Sequence, residues 1–314
     1  LAAAPDGVRA DVPAWCEPLF ARAFGAGWPE EGAALAARPP LDLRVNRLKA
    51  ERDKVAAALM RAGAAPAALA PDGLRVPATE AAGRHPNVQA DPAFRKGWFE
   101  VQDEGSQLAA VLAAAAPGEQ VVDFCAGAGG KTLALAAAMD NRGQIFAHDA
   151  DRARLAPIVD RLKRAGTRNV QVVAGEDELA PLAGAADLVL VDAPCTGSGT
   201  WRRRPDAKWR LTDRQLAARQ AEQAAVLDAA ARYVRPGGRL VYVTCSLFAE
   251  ENDDQVAAFL ERAPGFAAAD HAALWRRQVP AGEGRARIGR HGLVLSPALT
   301  GTDGFFVASL ARAG

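Results

Sequence analysis

Two cysteines stand in contexts suited to covalent chemistry. The apolar run Asp187–Val191 reads as a strand and ends in Asp192-Ala193-Pro194-Cys195-Thr196-Gly197-Ser198-Gly199. A second apolar run, Leu240–Val243, ends in Thr244-Cys245-Ser246 and continues to Glu250-Glu251-Asn252 at a helix start. In open α/β sheets, ligands bind beyond the carboxyl ends of the strands. If these two strands are neighbours, both thiols and Asp192 meet on one rim. A thiolate there can add to an electron-poor carbon and split a difficult step into easier ones. A carboxyl group beside it can protonate or hydrogen-bond the adduct, and a second thiol can assist release. A buried cysteine is usually only a small hydrophobe; two of them at a ligand-binding rim, one beside Asp-Pro, argue for chemistry. The residues alone leave Cys195 and Cys245 as equal candidates for the nucleophile, and the Pro-Cys context by itself favours Cys195. Lys131 and nearby arginines can supply the electropositive setting that a thiolate needs.

The other strand ends describe a ligand pocket. Strand Gln120–Phe124 leads into Cys125-Ala126-Gly127-Ala128-Gly129-Gly130-Lys131-Thr132. Three glycines let a backbone approach a ligand closely and enter a helix. A phosphate-binding loop would need glycine at position 125, which is Cys125, and a dinucleotide fingerprint would need glycine at 132, which is Thr132. The next strand ends in His148-Asp149, where an acid suits the two hydroxyls of a ribose. After the third come Glu176 and Asp177, either of which could accept from an adenine amino group. An adenosine pocket without a phosphate loop favours S-adenosylmethionine over ATP or a dinucleotide.

The elements that position these groups follow from periodicity. Strands are expected at Gln120–Phe124, Gln144–His148, Val170–Ala174, Asp187–Val191 and Arg239–Thr244, alternating with helices near 130–140, 151–165, 213–234 and 250–263. Short apolar strands alternating with helices imply a mostly parallel sheet covered on both faces. Leu293–Leu295 and Phe305–Leu310 are expected to pair as an antiparallel edge. Ahead of a helix at about 103–115, residues 41–115 read as a small α+β unit, with strands near 41–46, 74–76 and 98–101 and a helix over 51–62. Residues 1–40, rich in Ala, Pro and Gly and carrying Trp15 and Trp28, read as short helices lying on something else. The expected division is therefore 1–40, 41–115 and 116–314. The chain begins at Leu1 without Met, which suits a remnant or linker of an upstream domain.

Composition excludes several classes. With 314 residues, half of them hydrophobic, the chain can build one large domain and one small one. The net charge of +1 announces no global basic field, so any nucleic-acid surface is a local patch. The four cysteines form no CxxC pair and histidine is rare, so no zinc site is expected. Their wide spacing points to free thiols in a reducing cytoplasm rather than a secreted disulfide framework. No apolar run reaches the roughly 18 residues of a membrane span.

One local patch stands out. Residues 201–220 carry seven basic side chains against two acids, interleaved with Trp201 and Trp209, directly after the Cys195 loop. Arg203, Arg204, Lys208 and Trp209 are the expected contacts to phosphates and unstacked bases of single-stranded RNA; the bland alternative is a solvated helix start whose tryptophans pack inward. Arg276, Arg277, Arg285, Arg287 and Arg290 form a second basic cluster. A target base would have to be flipped or unpaired to reach a buried thiol.

Cys125–Thr132, Asp192–Gly199 followed by Arg203-Arg204-Pro205-Asp206-Ala207-Lys208-Trp209, and Thr244-Cys245-Ser246 with Glu250-Glu251-Asn252 resemble the RsmB/Nop/Sun family of RNA 5-methylcytosine methyltransferases. Leu43-Arg44-Val45-Asn46 and Val101-Gln102-Asp103 resemble segments ahead of that family's catalytic domain. The resemblance spans residues 40–314. It implies a class I methyltransferase fold, Rossmann-like, behind a small α+β RNA-binding domain. It implies Cys245 as nucleophile, Cys195 as release cysteine and Asp192 at the target base, with Lys131 a further catalytic residue. The cofactor, S-adenosylmethionine, would be held by Cys125–Lys131, Asp149, Arg154, Asp177 and Asp192. The substrate would be an RNA, ribosomal (16S) ahead of transfer RNA, and the protein a monomer with no membrane or metal partner. The family usually has Ala-Pro where this chain has Gly127-Ala128, and its bacterial members often carry an RNA-binding domain in front. Readings outside that resemblance are a DNA cytosine-5 methyltransferase with Cys195 as nucleophile, and a non-catalytic RNA-binding assembly factor.

Overall fold

The computed structural model describes residues 4–78 and 84–314. Three short helices open the chain: α1 (Asp6–Ala10), α2 (Glu17–Phe24) and α3 (Trp28–Ala36). Phe20, Phe24 and Leu35 pack with Trp201, Leu216, Leu247 and Phe248, so this segment lies against the stretches just beyond the two cysteines. Next come β1 (Leu41–Val45), α4 (Arg52–Ala58), β2 (Ala65–Pro66), β3 (Gly73–Val76), α5 (Pro92–Arg95) and β4 (Phe99–Val101). The strands form an antiparallel sheet in the order β2-β3-β1-β4. One face of β1 buries Leu43 and Val45 with Val55, Leu59 and Phe99. The period-2 alternation turns Asp42 and Arg44 to the opposite face, where both are buried.

The remaining elements are α6 (Glu104–Leu112), β5 (Gln120–Asp123), α7 (Gly130–Ala138), β6 (Gln144–Ala147), α8 (Arg152–Leu155), α9 (Ile158–Ala165), β7 (Val170–Val172), α10 (Glu176–Leu179), β8 (Ala186–Asp192), α11 (Ala207–Arg210), α12 (Asp213–Ala231), β9 (Val234–Thr244), α13 (Asp253–Arg262), β10 (Phe266–Ala268), α14 (His271–Gln278), β11 (Arg287–Ile288), β12 (Leu293–Leu295), α15 (Pro297–Thr300) and β13 (Phe305–Arg312). The large sheet runs β11-β12-β13-β9-β8-β5-β6-β7, with β10 also paired to β13. The five strands β7, β6, β5, β8 and β9 are parallel, and those beyond β9 are antiparallel. This is the mostly parallel α/β sheet the sequence implied. The C-terminal strand β13 is antiparallel but lies inside the sheet, because β12 and β10 cover its outer side. One expected helix is interrupted: Pro157, which has no N–H to donate, separates α8 from α9.

Alternate residues of the central strands feed two cores. Val121, Leu188, Leu190, Val241 and Val243 pack under α6, α7 and α14. Val122, Val189, Val191, Leu240 and Tyr242 pack under α12 and α13. With both faces covered, the strands have no polar face, and their carboxyl ends form the open rim. The strand order reverses between β5 and β8, which puts the crevice of such a sheet at the glycine-rich turn and the Cys195 loop.

Candidate functional site

Strands β8 and β9 pair directly, with Asp192 opposite Val243. The loops beyond them therefore emerge side by side. Cys195 Sγ and Cys245 Sγ lie 3.3 Å apart, both partly buried. The contact with Cys245, then burial, pushes the Cys195 thiol well above its ordinary range, so Cys195 keeps its proton near neutral pH. Gly197, at φ +70, lets the loop turn beneath the pair: an added Cβ would come within 4.0 Å of Cys245 Sγ.

Glu251 ties the two loops together. Its carboxylate accepts from Thr196 N (2.8 Å), Thr196 Oγ1 (2.5 Å), Ser246 Oγ (2.5 Å) and Gln223 Nε2 (2.9 Å). Ser198 and Ser246 hydroxyls meet at 3.0 Å, and Gly199 N donates to Cys245 O. Asn252 accepts from Thr244 Oγ1 and donates to Ser246 O.

On the same rim, Lys131 Nζ donates to Asp192 Oδ2 at 2.7 Å. Lys131 is only 7% exposed and lies at the start of α7, whereas Asp192 is 36% exposed and faces the rim. The glycine-rich turn bends back over β5 with Gly127 at φ +50 and Gly129 at φ +82. Gly127 N donates to Asp149 Oδ2, and Asp149 Oδ1 accepts from Asp151 N. Arg154 reaches within 3.9 Å of Asp149. Cys125, Ala126 and Gly130 line the same turn, while Ala128 is exposed at its tip. Burial with three nearby carboxylates pushes the Cys125 thiol up, so it serves as a neutral surface. In the third turn Glu176 pairs with exposed Arg232 and Glu178 accepts from Ala174 N, which leaves Asp177 as the acid not drawn into either contact.

Asp123 escaped the sequence reading. It ends β5 fully buried, accepts from Thr132 Oγ1 at 2.6 Å, and has no partner for Oδ1. Burial raises its carboxyl to about 7. The signal was available: a carboxylate closing an otherwise apolar strand, just before the glycine turn. This unpartnered oxygen, the close-approach glycines and the Asp149 carboxylate fit a polar ligand carrying a ribose and an ammonium group.

The small sheet grips the turn from outside. Arg161 donates to Ala128 O at 2.6 Å while pairing with Glu100 of β4. Arg44 of β1 donates to Gln102 Oε1 and, at 3.5 Å, to Gly130 O.

Of the four residues expected to contact RNA, Arg203, Arg204 and Trp209 are exposed and Lys208 is buried. Lys208 is buried, 3% exposed, and ion-paired to Asp11 in the N-terminal segment. The guanidinium of Arg203 is held by Asp103, Asp303 and the Pro40 carbonyl. Lys208 is thereby drawn into the interior, whereas Arg203 stays exposed while paired. Trp201 packs inward at 1% exposure against Phe20 and Phe248. Arg204 and Trp209, the latter 59% exposed, remain on the surface. Arg276, Arg277, Arg285, Arg287 and Arg290 are all exposed.

Residues 109–311 match a family profile described as 16S rRNA methyltransferase RsmB/F. Residues 12–80 match one described as "Methyltr_RsmF/B-like, ferredoxin-like domain". The chain is 35% identical over 305 residues to the ribosomal RNA small subunit methyltransferase B of Citrobacter koseri, covering 96% of this chain and 66% of that relative. It therefore spans about two thirds of the length of the curated relatives it matches. Among solved structures, PH0851 aligns with TM-score 0.84 at 31% identity, over 98% of this chain and 67% of that one. A methyltransferase homolog protein from Pyrococcus horikoshii aligns with TM-score 0.76 at 26% identity, over 98% and 97%.

Proposed function

The chain belongs to the 16S rRNA methyltransferase RsmB/F family, and from that premise we propose that it transfers a methyl group from S-adenosylmethionine to carbon 5 of a cytosine in RNA, with 16S ribosomal RNA the target ahead of transfer RNA. The observation that carries this reading is the contact between Cys195 and Cys245, 3.3 Å apart, on the rim that also holds Lys131 and Asp192.

Cytosine carbon 5 is a poor nucleophile. When the Cys245 thiolate adds to carbon 6, carbon 5 becomes enamine-like and can accept a methyl group. Addition at carbon 6 puts negative charge on ring nitrogen 3, which takes up a proton from solvent; Asp192, held by Lys131, is the group to accept from that N–H and stabilise the adduct. Cys195, which keeps its proton, is placed to offer it to the Cys245 sulfur 3.3 Å away. The family resemblance makes Cys245 the sulfur that attacks and Cys195 the one that assists release: a solvent water takes the carbon 5 proton while the Cys195 thiol hydrogen-bonds the departing Cys245 thiolate. Expulsion of the Cys245 thiolate restores the double bond between carbons 5 and 6.

The residues around the glycine turn fit the cofactor. Asp149 suits the ribose hydroxyls, Asp177 the adenine amino group, and Asp123 Oδ1 the ammonium end; Cys125–Lys131 and Arg154 line the pocket. When bound, S-adenosylmethionine supplies an electrophilic methyl on a sulfonium.

The test is incubation with methyl-labelled S-adenosylmethionine and ribosomal RNA, transfer RNA or DNA, followed by nucleoside digestion. Label in 5-methylcytidine from ribosomal RNA is expected. Label in DNA alone, or in another nucleoside, would overturn the reading.

A further inference from the structure

Glu251 is a carboxylate with no solvent exposure and no ion-pair partner among the described residues. Burying an unpaired charge is costly unless hydrogen bonds compensate. Here four donors do so, and their origins are informative. Two come from Thr196, the residue after Cys195, and one from Ser246, the residue after Cys245. The fourth comes from Gln223 of α12, whose side chain also donates to Pro194 O, directly before Cys195. The main chain of Glu251 is fixed in turn, because Tyr242 of β9 donates its hydroxyl proton to Glu251 O at 2.7 Å. A single side chain thus joins both sulfur-bearing loops. A fold needing only stability has no evident use for a bare anion at this point, since an apolar group of similar volume is often as stabilising as a buried charge.

We propose that Glu251 is a positioning residue that holds Cys195 and Cys245 in sulfur–sulfur contact and keeps a fixed negative charge behind Cys195. The proposal rests on the assignment of the two cysteines above and goes further by naming the group that sets their division of labour. The anion disfavours a second negative charge on Cys195, so that thiol keeps the proton that release requires. The other charged or titratable groups facing Cys195 and Glu251 are Cys245 of the neighbouring loop, Tyr242 of β9 and Glu250 on Glu251's own turn. Glu250 is itself paired with Arg22 of α2. None of these supplies a cation to the carboxylate.

Two readouts separate this role from a structural one. The first is the pH profile of thiol alkylation by iodoacetamide, read at each cysteine by peptide mass in the RNA-free protein. In Glu251→Gln, Cys195 should alkylate about tenfold faster near neutral pH, the equivalent of one unit of pKa, because the anion behind it is gone. The second is the amount of covalent protein–RNA adduct standing during turnover, which should rise as release slows while the affinity for S-adenosylmethionine stays unchanged. Should Glu251→Gln fail to fold, Thr196→Val removes one donor from the same carboxylate and should move both readouts in the same direction by less. Superimposable alkylation profiles in the folded variant, or unchanged adduct levels, overturn the proposal. The alkylation shift does not depend on methyl transfer, so a shift in a protein that methylates no RNA would instead sink the reaction assigned above.

Discussion

Lys131 Nζ sits 2.7 Å from Asp192 Oδ2, and this ion pair joins the helix that follows the glycine turn to the end of β8, from which the Cys195 loop leaves. The ammonium holds the carboxylate at the rim, on the strand end that leads into the Cys195 loop. Lys131→Met keeps the stem packing but removes the cation. Single-turnover methyl transfer should fall by about a hundredfold, the scale of losing one preorganised electrostatic partner. An unchanged rate would remove Lys131 and Asp192 from the mechanism.

The glycine turn makes unequal demands at its two left-handed positions. At Gly127 an added Cβ finds its nearest neighbour, Arg154, at 3.6 Å, so Gly127→Ala should cost only the backbone strain of about 1–2 kcal/mol. At Gly129 the same atom would lie 2.5 Å from Ile158 Cγ1. That clash adds overpacking of about 1–3 kcal/mol. Thermal melting of the two variants should rank Gly127→Ala above Gly129→Ala, and equal melting temperatures would contradict the geometry.

Asp123 predicts a pH dependence of stability. Its carboxyl rises from 3.8 to about 7 on folding because it is buried. The native state therefore binds the proton more tightly than the unfolded chain does. The stability this contributes is full below pH 4 and is lost as pH rises through about 7. Asp123→Asn cannot ionise, so the wild type should lose stability relative to it between pH 4 and 7 in chemical denaturation. A difference that stays flat or runs the other way would contradict the burial argument.

Arg204 and Lys208 are four residues apart and should behave oppositely. Arg204 is exposed and Lys208 is buried against Asp11. Arg204→Ala should weaken RNA binding and reduce the salt slope by about 1, and Trp209→Ala should weaken binding through lost stacking. Lys208→Ala should leave the slope alone and cost about 1–2 kcal/mol of stability. A reduced slope in Lys208→Ala would return that residue to the interface.

The large sheet was legible because its strands are unbroken apolar runs ending in polar residues, the pattern of parallel strands covered on both faces. Asp149, Asp192, Cys195 and Cys245 stand at or just past the ends of those runs, so the same pattern located them. The pairings within the basic segment were not legible, because a local count of charges cannot see partners that folding brings from afar. Arg203 meets Asp103 and Asp303, and Lys208 meets Asp11, all from distant stretches of chain. Glu251 was visible only as part of a motif. Nothing in its neighbours foretells a fully buried carboxylate, since Thr196 and Gln223 reach it from other elements.

The division of labour between the two sulfurs is the central claim, and one experiment reads it directly. Wild type, Cys245→Ala and Cys195→Ala are each incubated with RNA and labelled S-adenosylmethionine, then resolved under denaturing conditions. Cys245→Ala should transfer no methyl group and form no adduct, while Cys195→Ala should accumulate a covalent protein–RNA complex carrying the label. Full transfer by Cys245→Ala, or an adduct trapped in Cys245→Ala instead of Cys195→Ala, would contradict it.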